Sequence, residues 1–286
     1  MAEAQERLSV LQRARWWLAD YLYAGWRQAA FLRPPWGIGG HRPTPAAWRR
    51  GDVDLPEIVL LPGVYEHWTF LRPLGDALNQ AGHRVRVVHG LGTNRRAVVA
   101  TSERLGRALS RRGAPDAGRV LVAHSKGGLI GKHLLVASGA ANAAAVEAAA
   151  GGDAAEAAAS APAPDDRTDA ATDAPRPLGL LGLVAVCTPF HGSRLAGLFL
   201  VPSIRAFRPD DETIVSLGRE ESINGRIVSI FGRFDPHIPG GSALEGATNV
   251  LVPGNGHFRV LGDPKTHAAV IDGVRLLSDP GPLSPR

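Results

Sequence analysis

Arg119-Val-Leu-Val-Ala-His-Ser-Lys-Gly-Gly128, continuing into Leu129-Ile130-Gly131, joins three kinds of local structure within a few residues. A short β-branched and aliphatic run, Val120 to Ala123, meets the turn His124-Ser125-Lys126-Gly127-Gly128. A helical pattern follows, apolar at Leu129, Ile130, Leu134 and Leu135. Strand, tight turn and helix in this order lift a serine hydroxyl above the carboxyl edge of a sheet, the geometry of a nucleophile elbow. So sharp a turn needs small side chains two residues to either side, and Ala123 and Gly127 stand there. A strand-to-helix turn with a capping serine fits the same residues. The choice between the two rests on what the remainder of the chain supplies.

Towards the N-terminus, Ile58–Leu61 reads as a strand ending in Pro62-Gly63. Trp68–Ala81 reads as a helix with Leu71, Leu74 and Leu78 on one face, Val85–Val88 as a strand and Arg95–Arg112 as a helix. Beyond the serine, Leu180–Cys187 is a continuous apolar run, as in a strand buried on both faces of a parallel sheet. Ile227–Phe231 and Asn249–Val252 are further strands, and His267–Leu277 is a closing helix. This alternation predicts a mostly parallel sheet covered on both sides, with right-handed crossovers.

Two segments stand apart. Residues 5–33 predict an amphipathic helix, with Leu8, Leu11, Leu18, Tyr21 and Leu22 at spacings of three and four where the pattern is densest. Trp16, Trp17, Trp26 and Phe31 widen the stripe, and Asp20 and Arg27 interrupt it. It reads as an extension docking on the core domain, or as an interfacial helix, since Trp with Arg suits a lipid headgroup boundary. A Pro/Gly linker follows, so residues 1–50 form an N-terminal extension and 51–286 a catalytic domain. Residues 139–177 are alanine-rich, with Gly, Pro and acids but little to bury, and are expected to be a disordered or partly helical insertion.

The formal charge of +5 comes from arginine, since Lys126, Lys132 and Lys265 are the lysines. The arginines are spread or paired and form no basic stripe, so a nucleic-acid partner is not expected. Cys187 stands alone, which rules out an intramolecular disulfide. The start, Met1 to Arg7, lacks the pattern of a secretory signal. No apolar run reaches the ~20 residues of a membrane span, and the expected location is the cytoplasm, with residues 5–33 as a peripheral membrane contact. Oligomeric state is not legible.

A serine hydroxyl needs an adjacent base and a carboxylate that orients the base. Parallel strands bring their carboxyl ends to one edge, so residues just after strands are eligible. Asp235 follows the strand Ile227–Phe231 and His257 follows Asn249–Val252. Asp210, Asp211 and Asp263 fall in mid-loop or past the histidine, His191 follows another strand, and His267 lies at the closing helix. His237 is placed to line the site rather than to act as base. The candidate triad is Ser125, Asp235 and His257. The developing oxyanion would be met by backbone N–H groups, Lys126 after the serine and, within Pro62–Trp68, Val64 as the best placed. His191, His237 and His257 lack metal-site spacing and carboxylate partners, and neither a metal nor a cofactor is expected.

With Pro62-Gly63, His124–Gly128, Cys187-Thr-Pro-Phe-His-Gly-Ser193, Asp235 and His257 in place, the chain resembles a serine esterase or lipase of the α/β-hydrolase superfamily over about residues 55–280. The Thr188-Pro189…Gly192-Ser193 piece is similar to a segment of bacterial lipase-like members. Two departures stand out: Ala123 replaces a glycine, and Leu61-Pro62-Gly63 stands where a His-Gly dipeptide is common. The resemblance implies an α/β-hydrolase fold with helices on both faces of the sheet, plus the N-terminal helical extension. It implies hydrolysis of a small-molecule or lipid ester through an acyl-enzyme, with Tyr65, Phe190, Phe199 and His237 as candidate substrate contacts. Residues 194–224 occupy the place of a lid or cap and are apolar, which points to a lipophilic acyl group. An acyltransferase or thioesterase with the same triad, and a non-catalytic binding protein keeping the fold, are the competing readings.

Overall fold

Successive side chains along one short strand divide the interior into two cores. In β1 (Glu57–Leu61), Ile58 and Leu60 enter one apolar cluster while Val59 and Leu61 enter the other, the period-two alternation of a strand buried on both faces. The structure is a computed structural model describing residues 9–29, 43–151 and 178–279. Expectations for residues 5–8, 30–42 and 152–177 lie outside the described residues.

Six strands form one parallel sheet in the order β2 (Val85–Val87), β1, β3 (Arg119–His124), β4 (Leu180–Val186), β5 (Ile227–Phe234) and β6 (Thr248–Asn255). The order of strands reverses between β1 and β3, the point at which open parallel sheets ordinarily carry a binding crevice. The first core lies under α2 (Arg72–Gln80) and α7 (Pro264–Ser278), and the second under α3 (Val98–Ser110) and α4 (Lys126–Gly151). The predicted elements are present with shifted ends. The helix expected from Trp68 begins as a 3-10 turn, Trp68–Leu71, before α2, and β5 runs past Phe231 through an irregular register at Gly232. α4 extends into the alanine-rich segment as far as Gly151, as the high helix propensity of alanine favours.

The N-terminal helix α1 (Val10–Ala29) docks with the face opposite its hydrophobic stripe. Leu11, Leu18 and Leu22 are exposed, whereas Asp20 and Arg27 are buried, with Tyr23 and Ala24 packed on the first core between them. The residues that interrupt the apolar pattern are therefore the ones that face the protein. Trp48, from the segment preceding residue 50, is also core, and its indole N–H donates to Asp76 at 2.8 Å.

Residues 194–224 divide in two. Leu198, Phe199, Leu200 and Val201 lie exposed, while Phe207 and, from α6 (Glu212–Arg219), Ile214 and Leu217 pack into the second core. A four-residue helix, α5 (Pro202–Arg205), lies between these parts.

At the amino end of the sheet, the buried Glu57 accepts hydrogen bonds from Arg119 Nε at 3.0 Å and Arg86 Nη2 at 2.6 Å. Burial alone would raise this carboxyl, but the two guanidinium groups hold it below its ordinary value. Its contribution is therefore present above the ~4.3 of an unfolded glutamate and is lost as pH falls through the lower folded value. Glu57→Gln leaves the buried Arg119 uncompensated and should cost about 3 kcal/mol in denaturant unfolding at neutral pH. The gap from the parent should narrow below about pH 4.

Candidate active site

Ser125 sits between β3 and α4 with φ of 50°, in the left-handed region that a residue with a β-carbon enters only under constraint. Three contacts supply the constraint. Ser125 N–H donates to the Val186 carbonyl at 2.9 Å, Thr188 Oγ1 donates to the Ser125 carbonyl at 2.9 Å, and α4 presses against the end of β1. A β-carbon at Gly127 would lie 2.2 Å from the Leu61 carbonyl oxygen, so only glycine lets helix and strand meet this closely.

The acid and the imidazole come from the next two strand ends. Asp235 Oδ2 accepts from His257 Nδ1 at 2.7 Å, and Asp235 Oδ1 accepts the N–H groups of His237 at 2.8 Å and Ile238 at 3.0 Å. Both side chains are buried. Ser125 adjoins this pair through its neighbour His124, whose ring centroid is 4.8 Å from that of His257. The Asp235–His257 bond is made, whereas Ser125 Oγ and His257 share none among the described residues.

Behind the loop after β1 lies a buried pair that the sequence reading missed. Glu66 Oε2 accepts from Gly63 N–H at 2.7 Å and Glu66 Oε1 meets His124 Nδ1 at 2.7 Å, while His124 Nε2 meets the His257 carbonyl at 3.0 Å. A carbonyl only accepts, so His124 Nε2 carries a proton. One side chain, His124, thus ties the Pro62–Trp68 loop to the His257 loop. Engagement of Gly63 N–H takes it out of contention for an oxyanion and leaves Val64 and Tyr65 as the next amides. Lys126 opens α4, where first-turn N–H groups have no intrahelical acceptor.

The segment Cys187–Ser193 braces the site from the other side. Thr188 holds the Ser125 carbonyl, and Ser193 Oγ donates to the His237 carbonyl at 2.6 Å. Cys187 Sγ, an Asp235 oxygen and a His257 nitrogen lie within 4.8 Å of one another. Imidazole and carboxylate are bonded to each other there, and burial, then the Asp235 charge, push the thiol well above its ordinary pKa. The remaining candidates scatter. Tyr65 is 37% exposed and its hydroxyl pairs with Ser203 Oγ at 2.7 Å, Phe199 is exposed, and His237 packs 4.9 Å from His257, ring to ring. Phe190 is buried in the second core among Ala123 and Leu129, not at an open surface.

No protein-family model matches the chain, and no curated protein sequence does. Solved structures do. Lipase B of Aspergillus fumigatus superposes with a TM-score of 0.52 at 16% identity, covering 84% of this chain and 56% of the lipase. The chain therefore spans little more than half that enzyme's length. Esterase B from Lactobacillus rhamnosis, in a structure with a tributyrin phosphonate, gives 0.51 at 12% identity over 93% of this chain and 94% of its own. A putative hydrolase from Agrobacterium vitis S4 gives 0.50 at 16% identity, over 80% and 90%. This is an α/β-hydrolase fold.

Within this fold, His257 and His237 at the carboxyl edge sit in different fields. Burial lowers His257, but the charge and hydrogen bond of Asp235, followed by the charges of Asp20 and Glu66, outweigh it and leave the ring above its ordinary 6.5. Burial, and then the neighbouring His257, push His237 down to about 4. Asp235 is driven up by burial yet ends below its ordinary value, because His257 and the His237 amide stabilise its charge. Side-chain NMR titration should therefore find His257 protonating above pH 6.5 and His237 neutral to about pH 4. The reverse order would contradict this geometry.

Proposed function

We propose that the protein is a serine hydrolase of carboxylic esters with a lipophilic acyl part. The observation that carries this reading is the 2.7 Å Asp235–His257 bond, buried at the strand edge beside a serine held at positive φ. Ser125 Oγ attacks the ester carbonyl while His257 Nε2 takes its proton, and Asp235 holds Nδ1–H and stabilises the imidazolium. The tetrahedral oxyanion is met by the amides of Val64 and Lys126. His257 returns the proton to the departing alkoxide, leaving an acyl-enzyme. Water, deprotonated by the same imidazole, then releases the acid and restores Ser125. The contact between serine and base is one that tightens in the substrate complex.

A greasy substrate is favoured by the surface around Tyr65. Gln28 of α1 donates to the Tyr65 carbonyl at 2.6 Å and Ser203 meets its hydroxyl, so this residue joins α1 to α5, which follows the segment Leu198–Val201. Leu18, Leu22 and Trp26 on one side and Leu198, Phe199 and Leu200 on the other are all exposed. Such a rim suits a lipid surface, and we assign peripheral membrane contact to it.

Purified protein should hydrolyse short or medium p-nitrophenyl esters and be labelled by a fluorophosphonate at Ser125. Ser125→Ala should lower kcat at least ~10³-fold with the fold intact. Because the base must be neutral and His257 is raised, activity should climb with pH through a limb above 6.5. An active Ser125→Ala protein would end the proposal. For the rim, a Leu18→Glu/Leu22→Glu variant should sediment less with vesicles containing phosphatidylglycerol than the parent does. Equal sedimentation would remove the membrane contact and leave the triad untouched.

A further inference from the structure

The face that α1 turns towards the protein carries a carboxylate where a docking helix ordinarily carries an aliphatic side chain. Asp20 is fully buried, and its oxygens accept three successive backbone N–H groups: His257 on Oδ2 at 2.9 Å, and Phe258 and Arg259 on Oδ1, both at 2.8 Å. Among the described residues no cation lies within hydrogen-bond distance of it, His237 Nε2 being 3.8 Å away. Burying a charge is costly unless it is well hydrogen-bonded, and all three partners here are amides of one loop. Gly256 makes room for the contact: it has φ of 104°, and a β-carbon there would stand 2.4 Å from Asp20 Oδ1.

The rest of the helix is fastened to the opposite side of the site. Arg27 Nη2 donates to the carbonyls of Thr69 at 2.7 Å and Phe70 at 3.2 Å, and Gln28 holds the Tyr65 carbonyl. α1 therefore spans from the loop that follows β1 to the loop that follows β6. Charged and titratable groups facing His257 are Asp235 and His237 after β5, Glu66 after β1, His124 in β3, Cys187 after β4, and Asp20. Of these, only Asp20 comes from an element outside the sheet and its loops.

We propose that Asp20 is a positioning residue: α1 belongs to the catalytic machinery and sets the backbone of His257 so that its ring reaches Ser125. This rests on the triad reading above. A positional error of about 1 Å at a reacting group costs on the order of 10²-fold in rate, so loosening three amides next to the base acts on turnover and not on substrate capture. Asparagine offers one acceptor oxygen and turns an N–H2 towards the remaining amide, which it repels.

The test compares parent, Ser125→Ala and Asp20→Asn in p-nitrophenyl ester kinetics against pH and in fluorophosphonate labelling. Asp20→Asn should lower kcat and labelling rate by ~10–100-fold with KM within about twofold, and move the acid limb to lower pH, because one charge that raises His257 is gone. A loss of stability alone would not shift that limb. Parent values of kcat and of the limb in folded Asp20→Asn would overturn the proposal. Should that variant not fold, amide hydrogen exchange on the parent decides: residues 257–259 should be protected as strongly as β6, and exchange at unfolded rates would overturn the proposal equally. Absence of labelling in the parent would strike the triad instead, while the exchange data still judge the hold of Asp20 on the loop.

Discussion

Everything at the carboxyl edge depends on the closeness of α4 to the end of β1. Gly127 lies against the Leu61 carbonyl with no space for a methyl group, and this contact makes the turn at Ser125 so tight that its φ becomes positive. A serine in that conformation costs on the order of 1–3 kcal/mol. The deficit is offset by the parallel ladders on both sides of β3 and by the Thr188 hydroxyl, which holds the serine carbonyl. The Val186 carbonyl and the Thr188 hydroxyl hold the amide and the carbonyl of Ser125 in this conformation. The strain is thus part of how the side chain is presented, and the buried strands exist in part to sustain it.

Around that point the protein buries polar groups that a core of this size would otherwise exclude. Glu66, His124, Asp235, His257 and Asp20 all have less than a tenth of their surface exposed. They form a connected set in which His124 links the loop after β1 to the loop after β6, and Asp20 holds the latter from outside the sheet. A half-satisfied network of this kind would cost more than an apolar replacement, yet almost every acceptor here has a donor. His237 Nε2 is one buried atom without a partner. Its ring, kept neutral by burial and by His257, adds no competing charge beside His257.

The sheet was legible because strands buried on both faces appear as uninterrupted aliphatic runs, and because parallel pairing puts residues after strands on a common edge. That reasoning brought Asp235 to His257 across an interval of 22 residues. It missed Glu66 and His124 for a physical reason: their roles lie in a contact between two loops, which no periodicity encodes. It also misjudged which face of α1 mattered. Spacing marked out Leu11, Leu18 and Leu22, whereas burial follows Trp16, Asp20, Tyr23, Ala24 and Arg27, an equally regular helical face. The available signal was the pair of charged residues seven apart, treated as interruptions instead of as a face of their own.

That inversion gives α1 two surfaces with separate demands. Its polar face is committed to backbone groups on both sides of the site, Thr69, Phe70 and Tyr65 on one and His257 to Arg259 on the other. Backbone partners are blind to side-chain identity, so the fit is set by where Asp20 and Arg27 fall along the helix. A shift of one residue would rotate both by about 100° and break every one of these bonds at once. The apolar face, with Leu11, Leu18 and Leu22 exposed, carries no such register requirement. The same helix therefore shows exposed leucines on one side and, on the other, the carboxylate that holds the backbone of the loop carrying His257.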